Sequence, residues 1–132
     1  VRNRARKFLL QARYAAEFNG DGIRENLDRL GISERFQPAE RSWIAGLASI
    51  IEGRRPQVDE AVAAHLRNWS FARLHVLMRL ILEQGYAEAA FAGTDRAVAI
   101  DEYVDLAHEF LDPDGAGFVN GVLDRALTTA DG

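Results

Sequence analysis

The chain contains no cysteine. Disulfides, thiolate metal ligands and cysteine nucleophiles are excluded together, and the absence suits a reducing cytoplasm, the expected location. Long apolar runs are missing too: none approaches the ~18 residues of a membrane span. The apolar Phe8-Leu9-Leu10 behind the basic start is too short for a signal-peptide core, which needs roughly 7–15 such residues. Val1 is not an initiator methionine, so residues are expected upstream. Histidine is scarce, and His65, His75 and His108 lie at spacings that suggest no common metal site. There is no Gly-rich loop ending in Lys-Ser/Thr and no HExxH pair. Ser33, Ser42, Ser49 and Ser70 stand in no nucleophile-elbow context. Asp112-Pro113-Asp114-Gly115 begins like a calcium loop, but Ala, Gly, Phe and Val occupy the later ligand positions. Neither catalysis nor a metal or cofactor is expected.

What remains is an ordinary folded composition: 48% hydrophobic and 27% charged over 132 residues, enough for one domain, 1–132, with a full core. No convincing period-2 run occurs, so the expected fold is all-α, about seven helices in two packed sub-bundles. Residues 3–18 form the first, with Ala5, Phe8, Leu9 and Ala12 inward and Asn19-Gly20 as its stop. A short helix at 22–30 follows. Pro38 opens another to about 52, and Pro56 the next, with Val58, Val62, His65, Leu66 and Trp69 on one side. Ser70 reads as the N-cap of the longest helix, 71–90, apolar over most of its girth and hence central. Asp95 and Asp112-Pro113 start the last two, at 96–110 and 113–128.

Charge is distributed unevenly. Arg2, Arg4, Arg6, Lys7 and Arg13 put five positive charges on the first thirteen residues, leaving −9 on the rest of a chain whose total is −4. At about 100° per residue, Arg2, Arg6 and Arg13 fall on one side of the first helix, away from its apolar stripe. The expectation is a basic ridge suited to phosphate, and 15 of the 16 basic residues are arginine, which grips phosphate with two donors. Segment 83–114 is the counterweight, with nine acids and only Arg96 as a base. Its Glu83, Asp101, Glu102 and Asp105 are candidates for meeting a basic protein partner.

In Phe118-Val119-Asn120-Gly121-Val122-Leu123-Asp124-Arg125, Phe118, Val119, Val122 and Leu123 share one helix face, yet an interior Gly costs about 1 kcal/mol relative to Ala. Either another helix crosses closely at Gly121, or the helix start presents Phe118 and the Asp112-Pro113-Asp114 loop to a partner. This block resembles the closing signature of the NusB family, bacterial transcription antitermination factors. Arg4-Ala5-Arg6 with Gln11-Ala12-Arg13-Tyr14 is similar to the family's opening RARxxALQALY, with Arg13 in place of Leu. Val98-Ala99-Ile100-Asp101-Glu102 resembles its VAINEA segment, and Met78 to Glu83 its LRLALYE. Two departures stand out: Ala97 replaces a common Lys, and Gly115-Ala116-Gly117 replaces Ser-His-Lys, removing two basic residues near the expected RNA path.

The resemblance implies a seven-helix fold and a non-enzymatic adaptor. Such a protein pairs with ribosomal protein S-ten (NusE), binds boxA-type single-stranded RNA, and acts within the RNA polymerase antitermination complex. Carried onto this sequence, Arg4 and Arg6 contact phosphate, and Asp114 and Phe118 lie near the bases. Arg2, Lys7 and Arg13 join them on helical geometry alone, and Tyr14 either stacks on a base or packs in the bundle. The rival reading is a diverged protein-binding scaffold without specific RNA recognition. A third, the NusB-like domain of an RNA cytosine methyltransferase, needs a Rossmann-type domain that these residues do not hold. A homodimer is left open.

Overall fold

The structure, a computed structural model, describes residues 2–131, with side chains described over 2–128. Val1 and Gly132, the ends of the expected 1–132 domain, lie outside the described residues. Among these there are eight α-helices, one 3₁₀ turn and no strand. In chain order they are α1 (Asn3–Asn19), α2 (Ile23–Arg29), α3 (Ile32–Arg35), α4 (Pro38–Gly53), α5 (Arg55–Ala63), α6 (Val76–Phe91), α7 (Arg96–Phe110) and α8 (Pro113–Asp131), with the 3₁₀ turn at Phe71–Arg73. The fold is all-helical as expected. The added helix is α3, a single turn too short to leave a periodic signature.

Local chemistry sets most of the boundaries. Gly20 takes the left-handed φ of 76° that ends α1, a conformation glycine adopts without a Cβ clash. Pro38 occupies the start of α4, and Glu40 reaches back to accept from the Gln37 backbone N–H at 3.2 Å. Asp95 accepts from Ala97 N at 3.1 Å to cap α7, and Asp112 accepts from Gly115 N at 2.6 Å at the start of α8.

Helices α1 to α4 pack together at one end and α6 to α8 at the other, with α5 bridging, and one continuous core runs through both. Helix α6 packs against α1, α4, α5, α7 and α8, the central place its apolar girth predicts. Its Gly85 allows the closest crossing: a Cβ there would lie 3.0 Å from Leu123 Cδ1 and 3.1 Å from Tyr103 Cγ. Gly121 has no such role, because a Cβ there would meet only the Arg125 guanidinium, at 3.1 Å. The close-crossing explanation belongs to Gly85.

The expected helix over 71–90 does not begin at Ser70. Leu74 and His75 are extended (ψ 139° and 141°), so the chain makes one 3₁₀ turn, straightens, and re-enters a helix at Val76. His75 Nδ1, not Ser70, caps it by accepting from Leu77 N at 3.3 Å. Helix α5 ends at Ala63, so His65 and Trp69 are not on it. His65 is half-buried, its Nδ1 2.8 Å from the Ala61 carbonyl, while Trp69 is 58% exposed.

Candidate nucleic-acid interface

The basic ridge on α1 divides. Arg6 and Arg13 are only 4% and 1% exposed, so two of its three members point into the protein. Arg6 meets Glu88 at 2.6 Å, and Arg13 meets Glu83 at 2.6 Å and donates to the Leu80 carbonyl at 2.8 Å. Ascending α1 while descending α6, these two pairs form rungs between antiparallel helices. Helical periodicity placed the arginines correctly off the apolar stripe. It could not register that the facing helix buries carboxylates to receive them. Glu17, further along α1, pairs with Arg79.

Those carboxylates are saturated. Glu88 also accepts from the Tyr103 hydroxyl and from Thr94 Oγ1, each at 2.8 Å. Gln84, between the rungs, donates to the Arg6 carbonyl and to the Tyr103 oxygen, each at 3.0 Å. Burial alone would raise the Glu88 pKa, but hydrogen bonds from Arg6, Thr94 and Tyr103 outweigh it and hold the group below its ordinary value. Burial, then the nearby Glu88 charge, pushes the Tyr103 hydroxyl well up. Burial likewise acts on Glu83, where the bond to Asp59 and the charges of Arg13, Arg79 and Arg55 prevail and lower it. Asp59 bears the consequence: burial first, then the bond and charge of Glu83, push it up to about 7.

Arg2, Arg4 and Tyr14 stay exposed, with Lys7 between them half-buried. Arg2 stacks over Trp43 at 4.8 Å, and Arg4 lies over Phe36 at 4.6 Å while donating to the Arg35 carbonyl at 2.9 Å. Neither has a carboxylate within 4.0 Å among the described residues. Lys7 pairs with Glu109 and sits 5.6 Å from the Phe110 ring. Further along α1, Tyr14 packs on the exposed Phe18, rings 4.9 Å apart, beside a shallow groove formed with Leu77 and Phe110. Past the first turn of α6 and the end of α7, that surface leads to a cleft of ≈ 410 Å³ lined by Trp69, Arg73, Met78, Asp114 and Phe118 among others. From Arg4 and Lys7 to Phe118 the face thus runs from a cationic end to an aromatic one, while Arg2 lies on the Arg6 side of α1, over the same Trp43 ring.

The model describing the NusB family matches residues 3–128. The chain belongs to the NusB family. Relatives named transcription antitermination protein NusB include that of Wolinella succinogenes, 32% identical over 124 residues that span 94% of this chain and 92% of the relative. Another, from Clavibacter sepedonicus, is 34% identical over 129 residues, covering 95% and 94%. Among solved structures, T. maritima NusB superposes with a TM-score of 0.90 at 25% identity, covering 97% of this chain and 91% of that one. The NusB chain of a complex with NusE and double-stranded RNA has the same fold, at a TM-score of 0.86 and 22% identity over 97% of this chain and 96% of its own.

Within this NusB-family frame the partner acids also divide. Glu83 is 1% exposed and bound to Arg13, so it offers no surface to a partner, a correction to its place among the candidates. Asp101 and Asp105 are exposed one turn apart on α7, and half-buried Glu102 lies 3.9 Å from Arg6. Ala97 is exposed, and Gly115 is packed against Leu111, where a Cβ would come within 3.0 Å. Among the described residues no group of three His, Asp or Glu is placed to hold a metal ion, and no helix is long and apolar enough to cross a membrane. Sequence reasoning missed Trp69 and Arg73 as cleft residues. The signal was there in Asn68-Trp69-Ser70, a turn-forming pair around an indole, but the apolar spacing absorbed Trp69 into a helix stripe.

Proposed function

We propose that the chain is a cytoplasmic, non-enzymatic RNA-binding antitermination factor, which pairs with ribosomal protein S-ten (NusE) and holds boxA-type single-stranded RNA. The observation that carries this reading is the face from Arg4, past Lys7 and Tyr14, to the cleft at Asp114 and Phe118. Single-stranded RNA needs both ends of such a face: fixed cations for its phosphates and aromatic rings for its unstacked bases. Arg4 suits phosphate because one nitrogen is already held by the Arg35 carbonyl, which orients the remaining donors. Arg6 and Arg13 take no part in contacting RNA; they hold α1 in register so that its outer residues face one way.

The Asp101–Asp105 face of α7 is the surface for protein, with acid for a basic ribosomal partner. Through that pairing the RNA is delivered to the RNA polymerase antitermination complex. The departures Ala97 and Gly115-Ala116-Gly117 favour partner-dependent affinity, since this chain lacks two cations near the RNA path. The test is a titration of boxA-like and scrambled RNA with and without the ribosomal protein, with sedimentation to report any homodimer that competes for the same face. Preference for the boxA-like strand in the mixture is expected. Equal binding of both strands, or none, would transfer support to the scaffold reading.

A further inference from the structure

Phe118 supplies only part of the cleft at the start of α8. Another part comes from the segment between α5 and α6, whose course is unusual. Asn68 takes a left-handed φ of 65°, the 3₁₀ turn at Phe71–Arg73 follows, and Leu74 and His75 are extended. Asparagine is one of the few residues that takes this conformation readily, so Asn68 turns the chain sharply there. The result is that Trp69 is lifted into solvent, 58% exposed, and still lines the same cleft as Phe118. Arg73 lines it too, exposed and with no carboxylate within 4.0 Å among the described residues.

We infer that Trp69 and Arg73 complete a slot for one unstacked base of single-stranded RNA, with Trp69 as a second stacking surface beside Phe118. This inference rests on the RNA-binding reading and names the residues that deepen it. At ≈ 410 Å³ the cleft falls in the ~300–1,000 Å³ range of small-ligand sites. Two aromatic rings favour a flat π-system, and every base has one. Asp114, exposed at the mouth and free of any ion pair among the described residues, accepts from base N–H groups and repels a bare phosphate. Asp112 is already occupied by Gly115 N and His75 Nδ1 by Leu77 N, so neither is available to the base. Arg73 then neutralises the phosphate next to the bound base.

The experiment uses the full chain with its ribosomal partner and a boxA-like single-stranded RNA. Tryptophan emission should be quenched on RNA addition in the unaltered protein and much less in W69F, since only Trp43 remains there. W69A should weaken binding on the order of tenfold while W69F keeps most of the affinity, as expected for stacking. R73Q should reduce the slope of log affinity against log salt by about 0.7. Thermal unfolding of W69A and W69F checks that both remain folded. If W69A and R73Q bind like the unaltered protein while F118A is weakened, the slot is overturned and the RNA reading stands. Absence of RNA binding by the unaltered protein, with and without the partner, sinks the RNA reading and the slot with it.

Discussion

Arg6 and Glu88, 82 residues apart in the chain, meet at 2.6 Å inside the protein and tie α1 to α6. Glu88 has no water to turn to if that guanidinium is lost. Removing one partner of a buried pair costs about 3–5 kcal/mol, because the other charge is left behind. R6Q should therefore lower the urea midpoint strongly, and the melting temperature by on the order of 10 °C. Protein still folded at low temperature should show the same salt slope for RNA as the unaltered chain. A midpoint that barely moves would mean Glu88 is already satisfied by Tyr103 and Thr94.

Gly85 and Gly121 make a contrasting pair. A methyl at Gly85 meets Leu123 and Tyr103 at 3.0–3.1 Å, both inside the core. Overpacking of this sort costs typically 1–3 kcal/mol, more than the ~1 kcal/mol helix propensity regained. At Gly121 the contact is Arg125 Nη1 at 3.1 Å, the far end of a long side chain that need give only slightly while Nη2 keeps its bond to the His65 carbonyl, so Ala should stabilise by about 0.5–1 kcal/mol. Chemical denaturation of G85A and G121A should give opposite signs.

The positions of helix starts were legible because a residue type carries them: Pro38, Asp95 and Asp112 each cap or open a helix as expected. The core stripe of α1 and the centrality of α6 followed from period alone. The destinations of Arg6 and Arg13 did not, because a charged side chain reads as solvent-facing until the acid that receives it is known. Glu83 and Glu88 lie about seventy and eighty residues downstream, within a helix whose apolar girth gave no hint of buried carboxylates. Ser70 misled for a different reason. A good capping residue fixes no helix when the backbone beyond it is extended at Leu74 and His75. The exposed end of the face, Arg4 to Tyr14, and the Asp114–Phe118 cleft were marked by motif, whereas Trp69 and Arg73 needed the course of the chain.

Asp59 makes stability depend on pH in the sense opposite to most acids. Its folded pKa is pushed up to about 7 from an ordinary 3.8, so the folded protein keeps a proton that the unfolded chain has already released. This group's contribution is fully present below about pH 4, declines as pH rises toward 7, and is level above that. Glu83 acts at the other end: its lowered pKa adds stability above 4.5 that is lost as acid titrates the folded group. D59N keeps a donor for Glu83 without a titrating proton. Melting curves at pH 5 and 8 should show the unaltered protein losing ground to D59N at the higher pH. A difference that stays constant across that range removes the shared proton.

F118A separates core from interface. Phe118 is half-buried at the core's edge, so its loss should cost less than the ~3–5 kcal/mol of a fully buried Phe. Loss of a stacked base costs about 1–3 kcal/mol, so RNA affinity should fall by one to two orders of magnitude. A steep fall in melting temperature with undiminished RNA affinity of the folded fraction would make Phe118 a core residue only.

The cationic end of the face distinguishes RNA binding from a scaffold role. Arg2 and Arg4 are exposed, stacked on Trp43 and Phe36, and without carboxylate partners among the described residues. Replacing both with Gln takes away two charges and leaves the Arg6 and Arg13 rungs intact. Exposed substitutions shift stability by about 0.5 kcal/mol each, and stacked cations add about 0.5–1 kcal/mol, so R2Q/R4Q should remain folded. Were both guanidiniums to neutralise phosphates, affinity would drop for every RNA sequence. The slope of log affinity against log salt would also shrink by about 1.4, twice the single-strand value per contact. Lys7, one turn along α1 from Arg4, is engaged with Glu109, so K7Q should change the slope less than either arginine. If R2Q/R4Q binds RNA with unchanged affinity and slope, the phosphate path does not cross α1. The Asp101–Asp105 face would then be the site to test, with D101N/D105N weakening capture of the ribosomal protein.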